Sequence, residues 1–298
     1  MEIEGNESTL KRRSYRSCIS SAYTYVKDNA WSITKQNWKI FILIAALQAL
    51  VSSWALYLSP GVNYVGFDFK ATSLALCFIL ALLSSTLLTA AVFRIINKRT
   101  FLWNIKRSLF VLIATIIFTL VCGIVLFAAI MTYILSSKAP QDIPVWHLAL
   151  ITLAWLPIYI ILCVPNGFVF TKYMVEPEMK LRKAFLSAYG CGLRSWGFIF
   201  ITLFLTILCA FLINLIVCIP DHLVDLIKNI SAYGTSAYGD PSGLPSYFPV
   251  LKFATSFLAH GVGIYLSIFG TYVLYNIYQT VTLKANDRKT RKAKKQIQ

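Results

Sequence analysis

Ser108-Leu-Phe-Val-Leu-Ile-Ala-Thr-Ile-Ile-Phe-Thr-Leu-Val-Cys-Gly-Ile-Val-Leu-Phe-Ala-Ala-Ile-Met-Thr-Tyr-Ile-Leu135 contains no charged residue, and Lys106-Arg107 stands immediately before it. About 20 apolar residues in a helix cross roughly 30 Å of hydrocarbon. The stretch is long enough to span a bilayer, and its basic flank marks one side. Five more stretches of similar character occur, at about 40–58, 71–96, 146–170, 196–219 and 250–283. The first stops at Pro60-Gly61, the fifth ends at Pro220, and the fourth contains Pro157 and Pro165. The last is long enough to tilt or to run on beyond the membrane. Aromatic residues near the ends (Trp38, Tyr57, Trp103, Trp146, Tyr173, Trp196, Tyr247) match an interfacial belt. The fold class expected is an all-α polytopic membrane protein with six transmembrane helices.

The bases divide around these spans. Twenty-four of the 28 Lys and Arg residues fall before span one, from Arg94 at the end of span two to the start of span three, between spans four and five, and after span six. Seven acidic residues accompany them, a net charge of +17, whereas the remaining segments hold four bases and five acids, a net of −1. The positive-inside rule then places both termini in the cytoplasm of a cell membrane. The chain divides into a basic arm (1–38), a six-helix membrane domain (39–283) and a basic tail (284–298). The first 38 residues lack an apolar core, so no cleavable signal is read there and the first span would direct insertion.

A total that is 57% apolar and 13% charged leaves too little polar surface to cover a soluble globule. The net charge of +16 therefore points to anionic lipid headgroups, at roughly 1 kcal/mol per base near the surface, and not to nucleic acid. The seven cysteines contain no Cys-x-x-Cys pair. They indicate neither a disulfide framework nor a zinc site and read as small buried hydrophobes.

Two basic segments are amphipathic. In the arm Tyr15, Ile19, Ala22, Val26, Ala30 and Ile33 recur at helical spacing. Arg12, Arg13, Arg16, Lys27 and Lys35 lie off that stripe, as in a helix lying among headgroups. Before span five, Pro177 suits a first helical turn. Leu181, Phe185 and Ala188 form a stripe beside Lys180, Arg182 and Lys183. Both segments lead into a span through similar junctions, Gln36-Asn-Trp-Lys-Ile-Phe-Ile and Arg194-Ser-Trp-Gly-Phe-Ile-Phe, and Phe101-Leu-Trp-Asn-Ile-Lys-Arg is a shorter version. Three parallel hairpin repeats would account for this. The long outer segment opens with Asp221-His-Leu-Val-Asp-Leu-Ile-Lys, suited to a short helix. A turn-rich stretch follows from Ser231, in which Ser-Ala-Tyr-Gly nearly recurs.

Val175-Glu-Pro-Glu-Met-Lys-Leu-Arg-Lys-Ala-Phe-Leu-Ser-Ala-Tyr-Gly, together with the topology, resembles a group of prokaryotic six-span membrane proteins that includes the YciC-like proteins. The resemblance implies a bacterial integral membrane protein, and it supplies no catalytic residue to carry over.

Within the spans, His260 is the one deep ionisable group, with Gly261 and Gly263 beside it. Arg94 and Lys252 sit near enough to span ends to snorkel. Small residues recur every four positions in span six (Ala259, Gly263, Ser267, Thr271) and span two (Cys77, Ala81, Ser85, Thr89). That spacing suits close packing between those spans or a dimer face. Pro157 and Pro165 should kink span four, and carbonyls freed near Pro165, Asn166 and Gly167 would suit a cavity with His260. Asp221, Asp225 and His222, with His147, form at most a shallow outer site; surface capping is the simpler reading. No nucleophile, P-loop or metalloprotease motif is present, so neither an enzyme nor a cofactor is expected. The leading expectation is a non-enzymatic bundle that contacts lipid or organises the membrane, alone, as a homo-oligomer or with other membrane proteins. The alternative is a small transporter or channel for an uncharged or lipophilic solute.

Overall fold

The computed structural model describes residues 12–57, 67–136, 144–239 and 243–297. The turn expected at Pro60-Gly61 lies outside them. Eight helices are present among the described residues, and no strand. They are α1 (Tyr15–Tyr57), α2 (Phe67–Asn97), α3 (Phe101–Ser136), α4 (Val145–Val175), α5 (Leu181–Arg194), α6 (Trp196–Val217), α7 (Ile219–Tyr238) and α8 (Phe248–Ile297). Six of them, all but α5 and α7, are long and apolar enough to cross a membrane. Their large exposed side chains are correspondingly apolar, among them Ile113, Ile117, Leu120, Ile124 and Phe127 on α3 and Phe204, Ile207, Phe211 and Ile216 on α6.

Three elements differ from the sequence reading. Helix α1 is continuous for 43 residues, so the basic arm and span one form a single helix. Nothing at Gln36-Asn-Trp breaks a helix, and the helical hydrogen bonding runs on through it. The junction before span five does break, at Ser195 between α5 and α6, where the Ser195 N–H donates to the Gly192 carbonyl at 3.1 Å. The two junctions are thus built differently. The third difference is α7, which runs 20 residues through Ser231-Ala-Tyr-Gly-Thr-Ser-Ala-Tyr, a stretch expected to turn. Its end is set by Gly239, whose left-handed φ of 70° lets its N–H reach the Thr235 carbonyl at 3.1 Å. A residue with a Cβ would be strained there.

The chain forms two compact units that cut across the division into arm, membrane domain and tail: Met1–Cys18 with Lys106–Leu203 and Val273–Gln298, and Ile19–Ile105 with Phe204–Tyr272. In the second unit α1 lies antiparallel to α8. Tyr25 stacks on Tyr272 with centroids 3.9 Å apart, Thr34 shares a hydrogen bond with Tyr265, and the Ser256 hydroxyl donates to Ser52 at 3.3 Å. The α1 face turned inward is Ala22, Ile33, Asn37, Phe41, Ile44, Ala45 and Ala49, all buried. The step from α2 to α3 is closed by Asn97 and Asn104, whose side-chain amides bond each other at 2.8 Å.

In the first unit α5 packs on α4 through small residues. Ala184, Ala188 and Gly192, four apart, are the buried positions of α5. A Cβ placed on Gly192 would stand 3.0 Å from the Pro165 Cβ and 3.2 Å from its Cα. A proline ring and its backbone cannot rotate aside, so only glycine permits this approach. Tyr189 donates to the Leu162 carbonyl at 3.0 Å and Phe170 meets Phe185 edge-on, 5.6 Å between centroids. Replacing Gly192 by Val should lower stability by about 1–3 kcal/mol through overpacking. Thermal unfolding of the purified chain in detergent reads this, and an unchanged midpoint would deny the close contact.

Candidate functional site

The loop between α4 and α5 is wrapped around one arginine. Arg107, on α3, donates its guanidinium N–H groups to the carbonyls of Tyr173, Glu176 (2.7 Å), Pro177 and Met179 (3.2 Å). It also lies 4.5 Å over the Tyr173 ring. The last carbonyls of a helix have no N–H partner within it, and a guanidinium fork suits several at once. This stretch therefore turns instead of continuing a helix, and α5 begins at Leu181, four residues after the proline expected to start it. Glu176 is held from both sides, accepting a 2.8 Å hydrogen bond from Tyr278 and lying 3.9 Å from Lys172.

So placed, α5 presents bases and a bare leucine opposite its packed face. Lys180, Arg182, Lys183 and Leu186 line, with Ser187, a shallow recess of about 360 Å³. Leu186 is 78% exposed. On α1 the bases Arg16, Lys27 and Lys35 are exposed, and Trp31 between the last two is 80% exposed. Arg13 instead points inward. Its guanidinium donates to the Gln279 Oε1 at 2.5 Å, and its backbone N–H donates to the Thr280 hydroxyl at 3.3 Å. Arg12 remains exposed.

The intramembrane residues are distributed between the two units. His260, half-buried, shares a 2.7 Å hydrogen bond between Nδ1 and the Ser256 carbonyl of its own helix, in the second unit. Pro165, Asn166 and Gly167 belong to the first. There Pro165 meets Gly192, and a Cβ on Gly167 would stand 3.3 Å from the Leu274 side chain. Asn166 is buried, and its Oδ1 has no hydrogen-bond donor. Of the small-residue stripes, Ala259 and Cys77 are buried and Ala81 is half-buried. Ser85, Thr89, Ser267 and Thr271 donate to carbonyls on their own helices. Gly263 has room for a Cβ, with no heavy atom of the described residues within 4 Å of it.

The sharpest departure is Lys252. Expected to snorkel, it is 1% exposed, the largest of the fully buried side chains. Its Nζ lies 2.9 Å from Asp221 and 2.7 Å from Asp225, both on α7. Asp221 also accepts from Ser256 at 2.5 Å and Thr255 at 3.1 Å. Because Asp221 and Asp225 are four apart on a real helix, they converge on one ammonium and do not form the shallow acid–base or metal site considered with His147 and His222. His222 is exposed. His147, in the other unit, bonds Tyr133 at 2.6 Å and lies against Trp146. Among the described residues no group of His, Cys, Asp and Glu is arranged to hold a metal. The available signal was the Asp221–Asp225 spacing together with a base in the first turn of span six. Burial by itself would raise the Asp221 carboxyl, but hydrogen bonds from Ser256 and Lys252 and the lysine charge hold it below the usual carboxylate range. Lys228, buried on the same helix, is pushed down by desolvation and partly restored by Asp225.

No family model, curated protein or solved structure matches this chain.

Removing one partner from a buried pair leaves an uncompensated charge, which costs about 3–5 kcal/mol. Lys252→Met should therefore destabilise the chain by about 3 kcal/mol, and adding Asp221→Asn and Asp225→Asn should recover most of it. Unfolding midpoints of the single and triple variants test this; a triple variant no more stable than the single one would contradict it. Asp221, whose folded pKa is lowered, contributes stability above its unfolded value near 4, and that stability is lost as pH falls through the folded value. Acid should thus lower the wild-type midpoint below about pH 4, and Asp221→Asn should blunt that fall. An equal acid response in both proteins would remove Asp221 as the cause.

Proposed function

We propose that this chain is a non-enzymatic membrane bundle whose basic side, facing the cytoplasm, contacts anionic lipid. The observation that carries the reading is α5: a small-residue face locked onto α4 and, opposite it, Arg182, Lys183 and a leucine that no protein group covers. A charged helix face beside exposed apolar surface is the composition that lies stably at a headgroup boundary. The exposed Lys27, Trp31 and Lys35 of α1 carry the same chemistry. Rigid attachment by Arg107 and Gly192 favours an organising surface over a free arm. The resemblance to six-span bacterial proteins agrees with a plasma-membrane location. Against a solute path through Pro165, Asn166 and Gly167 stands their use in packing within the first unit, where a Cβ at Gly167 or Gly192 would press on a neighbour.

The test is depth. A fluorophore on Leu186→Cys, in the full chain reconstituted into phosphatidylglycerol-containing bilayers, should be quenched by lipids brominated near the headgroup end of their acyl chains. Arg182→Gln with Lys183→Gln should reduce that quenching. A label that stays fully accessible to aqueous quenchers in such bilayers would sink the reading.

A further inference from the structure

Where the N-terminal segment meets the far end of α8, three cations are brought together in the first unit. Arg12, Lys284 and Arg288 line a cavity of about 260 Å³, with Asp287 as its fourth wall. The convergence is built by the fold. Arg13, bonded to Gln279 and Thr280, pins the segment to α8 immediately beside Arg12. One turn further in, the buried Asn276 amide donates to the Cys18 carbonyl at 2.9 Å. Lys284 is fixed by lying 4.3 Å over the Phe198 ring, and Arg288 follows it by four residues on the same helix face. Like charges at that spacing repel, and a third is delivered from another segment. Among the described residues that line it, three cations face one carboxylate, a net charge of +2.

We propose that this cavity is a binding site for one phosphate group, carried by an anionic phospholipid headgroup or by a free phosphate. Two guanidinium groups match phosphate oxygens in paired hydrogen bonds, and an ammonium adds a point charge. A phosphate relieves the repulsion among the three cations, and Asp287 opposes it only in part. The lipid arm rests on the lipid-contacting reading above; the phosphate site itself does not require it.

Native mass spectrometry of the full detergent-solubilised chain, titrated with phosphatidylglycerol, reads the site as one saturable adduct per chain. Calorimetric titration with inorganic phosphate reads the free-anion source. Arg288→Gln and Lys284→Gln should each weaken binding roughly fivefold, the equivalent of about 1 kcal/mol per base. Asp287→Asn should tighten binding, a gain that a misfolded variant cannot produce. Lys27→Gln, an exposed base outside the cavity, should leave the adduct intact. Saturable binding of either probe with this pattern supports the site, and the probe that binds identifies the source. Absence of saturable binding by both, or equal losses for Lys27→Gln and Arg288→Gln, overturns it. Because Leu186 reports bilayer contact separately, an empty cavity with a quenched label would refute this site alone.

Discussion

Hydrocarbon offers a backbone no hydrogen-bond partner, and that constraint shapes this chain at every scale. It makes the six apolar stretches helical, and it also decides what their polar side chains do. Thr86, Thr115, Thr132, Thr152, Thr171 and Thr202 each donate to a carbonyl one turn back, at 2.7–2.9 Å. A hydroxyl satisfied in this way costs little in lipid. Helix association is left to a few contacts of high specificity: a stacked pair of tyrosines, a proline against a glycine, an arginine among carbonyls and a lysine between aspartates.

The last two of those contacts share a logic. At each, a group that would be costly alone is met by several partners at once. Arg107 takes four carbonyls that the end of α4 would otherwise leave to solvent. Asp221 accepts from a lysine and two hydroxyls. Such groups fix register more sharply than apolar packing does, because displacement by one residue strands a charge. The basic cavity near the end of α8 departs from it, with three cations against one carboxylate among the described residues.

The spans were legible because apolar runs interrupted by basic clusters admit few other readings. The basic face of α5 was legible as well, since Leu181, Phe185 and Ala188 mark a stripe and Lys180, Arg182 and Lys183 flank it. What escaped was information between distant segments. Lys252 and Asp221 are 31 positions apart, and the helical spacing of the two aspartates marks a cation site without saying which base fills it. Helix α7 was read short because Ser-Ala-Tyr-Gly carries turn residues, yet Gly239 alone terminates it while Gly234 is accommodated inside. Continuity of α1 was hidden by a change in composition at Trp38, from basic amphipathic to apolar, that alters what surrounds a helix without breaking it.

The ion pair at the start of α8 also bears on how the molecule is made. A chain leaves the ribosome from its N-terminus, so both aspartates emerge before the lysine they neutralise. An unpaired lysine at the centre of a span costs about 2.5–3.5 kcal/mol on insertion scales, and less near its end. Helix α7 is therefore a template that is already in place when the last span is delivered. The order of synthesis supplies the counter-charge before the charge, and the final helix can enter in the register that its partner has set.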